Sequence, residues 1–445
     1  MMLKSMNAVF PVVSSTLKAL IHSLIIIGII LSFINCSSIK NKQLQKTIHK
    51  QLHSGNTDDY FQGIMIYDPQ NRDTVYRYNS NKYFTPASNT KIITLYSSLK
   101  TLPQHIPALK YVVSNDTLFM QGTGDPSLLH PFFKDSTVLQ FAKGYPHVSL
   151  HLNNFKEKRF GPGWAWEDYD LYFSPERSSF PIYGNVVSIF KSEDQNKLVI
   201  SPQLFKEKVI PISYTVNREQ YNNTFYFNTE RKDTLESPFI LDSTLIKNLL
   251  EEALQKKVSL TQHMPEMEKQ LLYSVPSDSL YKRMMYESDN FLAEQLLILA
   301  SSTLSDTLNS GKARDYILEN YLTEIKQPPR WVDGSGLSRY NLFTPETFVY
   351  VLNKMYEEVP RERLFNLFPI GGETGTLKNG FEGAEQPYIY AKTGSLGNNY
   401  CLSGYLLTKS GKTLIFSFMN NHFRISNEEV KQHMQYILEM VRDNY

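Results

Sequence analysis

The stretch TPASNTK at residues 85–91 decides the architecture that the sequence predicts. It follows a predicted β-hairpin, and Pro86 and Ala87 favour a sharp entry into a helix. Helical spacing then appears in the apolar residues Ile92, Leu95 and Leu99. Ser88 is therefore predicted near a helix N-terminus, where backbone N–H groups are free.

Ser88 and Lys91 are spaced as a nucleophile and its base. A serine attacks a carbonyl only if a base removes its proton, and a lysine three residues later lies on the same helical turn. The pattern Ser-x-x-Lys also occurs at Ser15, Ser37, Ser97, Ser188 and Ser279. The pair alone therefore does not identify a site.

Two further segments single out Ser88. Ser288-Asp289-Asn290 lies between two predicted helices, and Lys392-Thr393-Gly394, which occurs once in the chain, lies on a predicted strand that ends in a glycine turn. The order Ser-x-x-Lys, Ser-x-Asn, Lys-Thr-Gly is the motif set of penicillin-binding proteins and class A β-lactamases. The motifs predict an acyl-transfer site.

Each catalytic residue has a predicted role. Repulsion from Lys392 and burial are expected to lower the pKa of Lys91, so that its neutral amine can act as a base. Ser288 is expected to pass a proton to the departing amine. Asn290 is expected to hold the peptide backbone of the substrate.

The strand of the third motif has predicted binding roles. The backbone N–H groups of Ser88 and Ser395 are candidates for an oxyanion hole. The hydroxyls of Thr393 and Ser395, beside the charge of Lys392, are expected to receive a terminal carboxylate, with Gly394 between them.

Around these motifs the sequence predicts an α/β (α+β) fold, with an antiparallel sheet flanked by helices. The predicted divisions are residues 36–106 and 265–445, which form the main domain, and 107–264, a β-rich inserted region. The predicted strands and final helix are Phe61 to Tyr67, Thr74 to Tyr78, Tyr388 to Thr393, Tyr400 to Thr408, Thr413 to Asn420 and the helix Asn427 to Arg442.

Composition is that of a globular protein, with 41% hydrophobic and 20% charged residues among 445. A formal charge of +2 and the lack of a long basic run argue against nucleic acid as a partner. The sequence predicts neither a metal site nor a cofactor.

The N-terminus predicts export. The apolar run from Ala19 to Ile34 follows Lys18 and spans 16 residues, fewer than the ~20 of a membrane-spanning helix. Residues 1–35 are therefore predicted to be a signal peptide. Cys36 resembles the lipidation site of bacterial lipoproteins, which implies a periplasmic protein anchored to a membrane. Because Cys401 is the other cysteine, a lipidated Cys36 leaves no intramolecular disulfide.

With the motifs in place, the chain from about Gly63 to Asn420 resembles the class C low-molecular-mass penicillin-binding proteins, the D-alanyl-D-alanine carboxypeptidases/endopeptidases of peptidase family S13. Further support comes from GTGDP at 122–126, GWAWED at 163–168, DGSGLSR at 333–339 and GTL at 375–377. The resemblance implies a serine β-lactamase/transpeptidase-like domain, peptidoglycan stem peptides as substrates, an acyl-Ser88 intermediate and β-lactams as covalent inhibitors.

The resemblance also implies recognition residues outside the three motifs. Asp168 matches the acid that meets the free amine of a diaminopimelate side chain. Ser335 and Arg339 match positions near the same end of the substrate.

Two other functions remain open at this point. A β-lactamase needs a positioned hydrolytic water, and the sequence offers no dedicated acid for it. A catalytically idle β-lactam sensor or wall-binding module would keep the fold without turnover. The sequence does not decide between carboxypeptidase and endopeptidase activity.

Overall fold

Two segments far apart in the chain form the main antiparallel sheet of the computed structural model, which describes residues 41–55, 59–192 and 197–445. Its strands, in spatial order, are β13 (Ile389–Leu396), β14 (Asn399–Leu407), β15 (Thr413–Asn421), β1 (Phe61–Asp68) and β2 (Asp73–Tyr78). The predicted hairpin and the predicted C-terminal meander are both present. The predicted signal peptide and the predicted lipidation site Cys36 lie outside the described residues.

Helices cover both faces of this sheet. One face packs against α2 (Thr90–Thr101), α5 (Ser277–Tyr286), α6 (Asn290–Leu304) and α8 (Pro345–Glu358). The other face packs against α1 (residues 41–52) and α10 (Asn427–Asn444). The remaining helices are α3 (Thr137–Lys143), α4 (Ser243–Leu254), α7 (Ser310–Asn320) and α9 (Arg361–Asn366). The predicted sheet flanked by helices is confirmed.

Helix α6 is the central helix of the first layer. Its residues are apolar on almost every side, which is typical of a helix buried all round. Asp289 caps its N-terminus, because its carboxylate accepts a hydrogen bond from Leu292 N at 3.0 Å. The cap fixes the place where the second motif ends and the helix begins.

The strands between the first two motifs form further sheets. A five-stranded sheet has the order β11 (Val258–Leu260), β5 (His147–His151), β4 (Thr117–Gly122), β3 (His105–Ser114) and β12 (Gln270–Pro276). Smaller sheets contain β10 (Leu235–Pro238), β6 (Val186–Lys191) and β7 (Leu198–Ser201), and β8 (Val209–Ile210) with β9 (Phe225–Tyr226). These strands share a second core. The first of these sheets extends past residues 107 and 264, and the division of the chain at those positions stays a prediction.

Among the helices of the described ranges, none has the length and apolar character required to cross a membrane.

Candidate active site

Ser88 lies in a tight turn immediately before α2. Residues Ala87–Asn89 form a short 3-10 turn, and α2 starts at Thr90. Ala87 has a left-handed φ of +48°, which is uncommon for a residue with a side chain. The structure thus places Ser88 at the predicted sharp entry to a helix.

Lys91 lies one turn further along, and its amine is surrounded by oxygen atoms. Its Nζ is 2.9 Å from Ser88 Oγ, 2.7 Å from Asn290 Oδ1 and 2.7 Å from the carbonyl oxygen of Ser335. Asn290 and Ser335 accept two N–H groups of the amine. In the neutral form its lone pair is then available to Ser88, as a general base requires.

Burial makes the neutral form of Lys91 accessible. The side chain is fully buried, and this lowers the pKa of Lys91 to about 8, although the charges of Asp333, Asp289 and Glu294 act to raise it. Repulsion between the two lysines takes effect at Lys392, whose pKa lies well below its usual value because of burial and of Lys91. Burial therefore acts on Lys91 as predicted, and the repulsion between the two lysines is found as a lowered pKa of Lys392.

The second motif turns sharply between α5 and α6. Ser288 has a φ of +56°, and Asp289 is the helix cap described above. Asn290 Oδ1 accepts from Lys91, and its Nδ2 donates to the carbonyl oxygen of Phe173 at 3.1 Å. Asn290 is thereby held between the base and the inserted region.

The third motif lies on β13, an edge strand of the main sheet. Lys392 is fully buried, and its Nζ donates to the carbonyl oxygen of Thr393 at 2.8 Å. Thr393 Oγ1 donates to Thr376 Oγ1 at 2.7 Å. A side-chain carbon at Gly394 would lie 2.5 Å from the carbonyl oxygen of Pro86. Glycine therefore allows β13 to approach the turn that carries Ser88.

Asn89 fastens the serine turn to the sheet, and sequence reasoning did not select it. Its Nδ2 donates to the carbonyl oxygen of Lys392 at 2.9 Å, and its Oδ1 accepts from Ser403 Oγ at 2.6 Å. Asn89 is fully buried. The feature of the sequence that could have identified Asn89 is its amide side chain, which directly follows the predicted nucleophile in the first helical turn.

The three motifs meet at one cavity of about 590 Å³, called here the Ser88 cavity. The motif residues among its lining are Ser88, Ser288, Asp289, Asn290 and Thr393, and Ser395 lines it next to the third motif. The structure thus brings together the predicted nucleophile, proton donor and carboxylate-binding residues.

Glu294 holds the loop that contacts Lys91, and the sequence analysis did not identify this residue either. Its Oε1 accepts from Gly334 N at 2.9 Å and from Ser335 N at 2.8 Å. Burial and the charge of Asp333 raise the pKa of Glu294. A carboxylate within an otherwise apolar helix was the signal in the sequence, because buried acids are seldom without a partner.

The side chain of Ser335 is fully buried. Its hydroxyl accepts from Leu337 N at 3.2 Å, and its carbonyl oxygen contacts Lys91. In the described structure Ser335 therefore contacts the base, and a contact of its hydroxyl with substrate stays a prediction.

Asp168 and Arg339 lie close enough to interact electrostatically but do not line the Ser88 cavity. Burial and Glu167 raise the pKa of Asp168, and Arg339 opposes this. Arg339 is exposed and approaches Gly397, in the turn after Ser395. Arg339 thus lies near the end of the motif strand, and the role of both charges in recognition stays a prediction.

Charged residues distant in sequence also line the Ser88 cavity. Arg283 Nε lies 3.4 Å from Asp289 Oδ2, and Glu236 has a pKa that burial raises. No local pattern marks these residues, because they lie on separate elements.

Within the described ranges, no group of three or more His, Cys, Asp or Glu side chains is placed to hold a metal ion.

Comparisons with known proteins agree with this architecture. The family described as "D-Ala-D-Ala carboxypeptidase 3 (S13) family" matches residues 44–209 and 236–443. The D-alanyl-D-alanine carboxypeptidase DacB of Haemophilus influenzae is 25% identical over 423 residues, which cover 83% of this chain and 87% of that protein. The penicillin-sensitive carboxypeptidase A of Dictyostelium discoideum is 22% identical over 446 residues, which cover 82% and 83%.

A solved structure shares the fold. Penicillin binding protein 4 (dacB) from Haemophilus influenzae has a TM-score of 0.68 at 21% identity, covering 89% of this chain and 99% of that one. The predicted fold class and the predicted resemblance are confirmed. Because the family match spans most of its length, the chain belongs to the D-Ala-D-Ala carboxypeptidase 3 (S13) family.

Proposed function

We propose that this serine DD-peptidase cleaves the terminal D-Ala-D-Ala bond, or the D-centre crosslink, of peptidoglycan peptides through an acyl-Ser88 intermediate. The class of activity follows from the family. The observation that carries the assignment of residues is the position of Lys91 Nζ, which lies 2.9 Å from Ser88 Oγ.

Acylation starts when Lys91 removes the proton of Ser88. The serine oxygen bonds to the scissile carbonyl carbon, and the oxyanion is stabilised by the backbone N–H groups of Ser88 and Ser395. The C–N bond then breaks, Ser288 donates its proton to the departing amine, and Ser288 regains a proton from Lys91, which returns to its neutral form. Asn290 holds Lys91 in place and contacts the substrate backbone.

Deacylation reverses the roles. Water attacks the ester carbon as Lys91 accepts its proton, the bond to Ser88 breaks, and the serine oxygen regains a proton. The peptide leaves with a new carboxylate.

The third motif receives the terminal carboxylate of the substrate. Thr393 and Ser395 line the Ser88 cavity, and Lys392 lies beneath them. Burial holds the pKa of Lys392 low in the free protein. A carboxylate that arrives beside it favours the charged form, so that binding and protonation are coupled.

Substrate recognition extends to Asp168 and Arg339 in this proposal. A diaminopimelate side chain ends in an ammonium and a carboxylate, and an acid with a guanidinium beside it matches both charges. Their electrostatic proximity supports this assignment.

The proposal includes export and an envelope location. The apolar run before Cys36 supports a signal peptide, and Cys36 supports a lipid anchor in a membrane.

Incubation with purified muropeptides, followed by mass analysis, tests the function. We expect pentapeptides to lose one D-Ala, crosslinked dimers to be cleaved if the endopeptidase activity is present, and Ser88→Ala to be inactive. Unchanged muropeptides together with rapid turnover of penicillin would instead identify a β-lactamase. Penicillin acylation without turnover of either substrate would identify a sensor.

A further inference from the structure

A second large cavity lies beside the catalytic one. It measures about 1080 Å³, and its lining combines aromatic and charged side chains. We call it the aromatic groove. The lining residues used below are Trp166, Tyr221, Arg159 and Arg177.

One segment of chain, residues 163–177, forms a wall common to both cavities. Tyr172, Phe173 and Pro175 line the Ser88 cavity, whereas Trp166 and Arg177 line the aromatic groove. The carbonyl oxygen of Phe173 accepts the hydrogen bond from Asn290, so that the wall is attached to the catalytic residues. The groove is therefore an extension of the catalytic region.

The groove presents flat rings to solvent. Trp166 is 73% exposed and Tyr221 is 86% exposed. Large aromatic side chains at this exposure mark interaction sites when they line a concave surface. Their faces suit a ligand with a flat array of C–H groups, as a sugar ring has.

An exposed cation also lines the groove. The side chain of Arg159 is 51% exposed, and its Nη1 pairs with Glu176 Oε1 at 3.1 Å. A guanidinium carries five N–H donors, so donors beyond that pair remain for the hydroxyl and acetamido oxygens of a ligand.

We propose that the aromatic groove binds the N-acetylated amino sugar that carries the stem peptide. This inference rests on the proposed function and names a further part of the same substrate. Extended peptide spans at most about 3.5 Å per residue, so the four residues up to the scissile carbonyl reach roughly 14 Å. A sugar at the far end of an extended peptide can therefore lie as far as about 14 Å from the scissile carbonyl, on the side of the shared wall where the groove lies.

The test compares three ligands that differ in one part each. They are a disaccharide-pentapeptide, the same pentapeptide without sugar, and a labelled penicillin. We expect Trp166→Ala to lower kcat/KM on the first by about tenfold, the usual scale for loss of an aromatic contact. Rates on the other two should change less than about twofold, which is within the scatter of surface substitutions.

Matched variants separate binding from damage to the fold. Trp166→Phe should restore most of the rate, because a ring remains. Tyr436→Ala removes a 54% exposed ring on α10 that lines neither cavity, and it should change none of the three rates. With Ser88→Ala to prevent turnover, the free disaccharide should quench tryptophan fluorescence, and Trp166→Phe should weaken the signal.

Three outcomes overturn the inference. Equal losses on the two peptide substrates would show that the groove binds peptide. Unchanged rates in Trp166→Ala, or no response to the disaccharide, would show that sugar does not bind there. A failure of the wild-type protein to react with penicillin and peptide contradicts the proposed function instead, so the two failures are distinguishable.

Discussion

Asp168 is half-buried, in the last position of a short 3-10 turn, and the charge of Arg339 acts on it. Neither residue lines the Ser88 cavity. A ligand that contacts them must therefore extend beyond the nucleophile. We expect a stem peptide to extend this far and a simple penicillin not to.

Asp168→Asn tests recognition of the substrate side chain. We expect a decrease in kcat/KM on diaminopimelate-containing peptides of roughly 10- to 100-fold, typical of loss of a charged hydrogen bond. Acylation by a simple penicillin should change much less. If both reactions slow equally, or neither does, Asp168 has a structural role.

The motif residues could be predicted individually from the sequence, but the residues that hold them in place could not. Ser88, Lys91 and Asn290 belong to short patterns in which spacing carries the chemistry. Asn89 and Glu294 act through backbone groups of Lys392 and of Gly334 and Ser335. The Asn89 contact joins residues 303 positions apart and the Glu294 contacts join residues 40 and 41 positions apart, and no local pattern encodes them.

Helix α6 connects the second motif to the base through the loop at residues 333–341. Glu294 holds the loop N–H groups, and the loop carbonyl of Ser335 holds Lys91. Glu294 also lies 3.5 Å from Arg177 of the inserted region. One carboxylate thus aligns the base with two other parts of the molecule.

Glu294→Gln should move the pH profile. Acylation requires Lys91 without its proton, so kcat/KM rises with pH through the pKa of about 8. The charge of Glu294 raises that pKa, and its removal should shift the acid limb to lower pH. A loss of packing alone would lower the rate without moving the limb.

Asp125→Asn is the matched control for this variant. Asp125 is a fully buried carboxylate whose charge is not among the causes of the Lys91 shift. Asp125→Asn should leave the acid limb of the pH profile in place.

Glu294→Gln should also lower the free energy of unfolding by about 3 kcal/mol, because Arg177 loses a buried partner.

At the level of elements, the strands were predictable and their pairing was not. Apolar and aromatic runs separated by turn residues marked the hairpin and the meander. The pairing of β1 with β15 joins residues about 350 positions apart, as in Phe61 with Asn421. Long-range pairing depends on tertiary packing, for which the sequence carries no periodic signal.

At the scale of the whole molecule, both cavities are lined by residues of the segment 107–264 and by residues of the rest of the chain. His130 and Phe173 come from the first, and Ser88 and Asn290 come from the second. The sequence predicted the insertion. It did not predict the aromatic groove, because the groove exists only after the segment at 163–177 has packed against the catalytic domain.

Attachment of the protein to a membrane through Cys36 is a prediction that concerns the whole chain. We expect the mature protein to begin at Cys36 and to partition into detergent with the membrane fraction. Cys36→Ser should be released or remain unprocessed, because stable attachment needs two lipid chains or more. N-terminal sequencing that places the mature start well downstream of Cys36 would contradict this.

The most direct test of the account is the site of acylation by a labelled penicillin. We expect the label on Ser88 alone and none on Ser88→Ala. Ser97, in the copy of the pattern on the same helix, is fully buried, whereas Ser279 is exposed on α5. A label on Ser97, on Ser279 or on any other residue would contradict the assignment of Ser88 as the nucleophile.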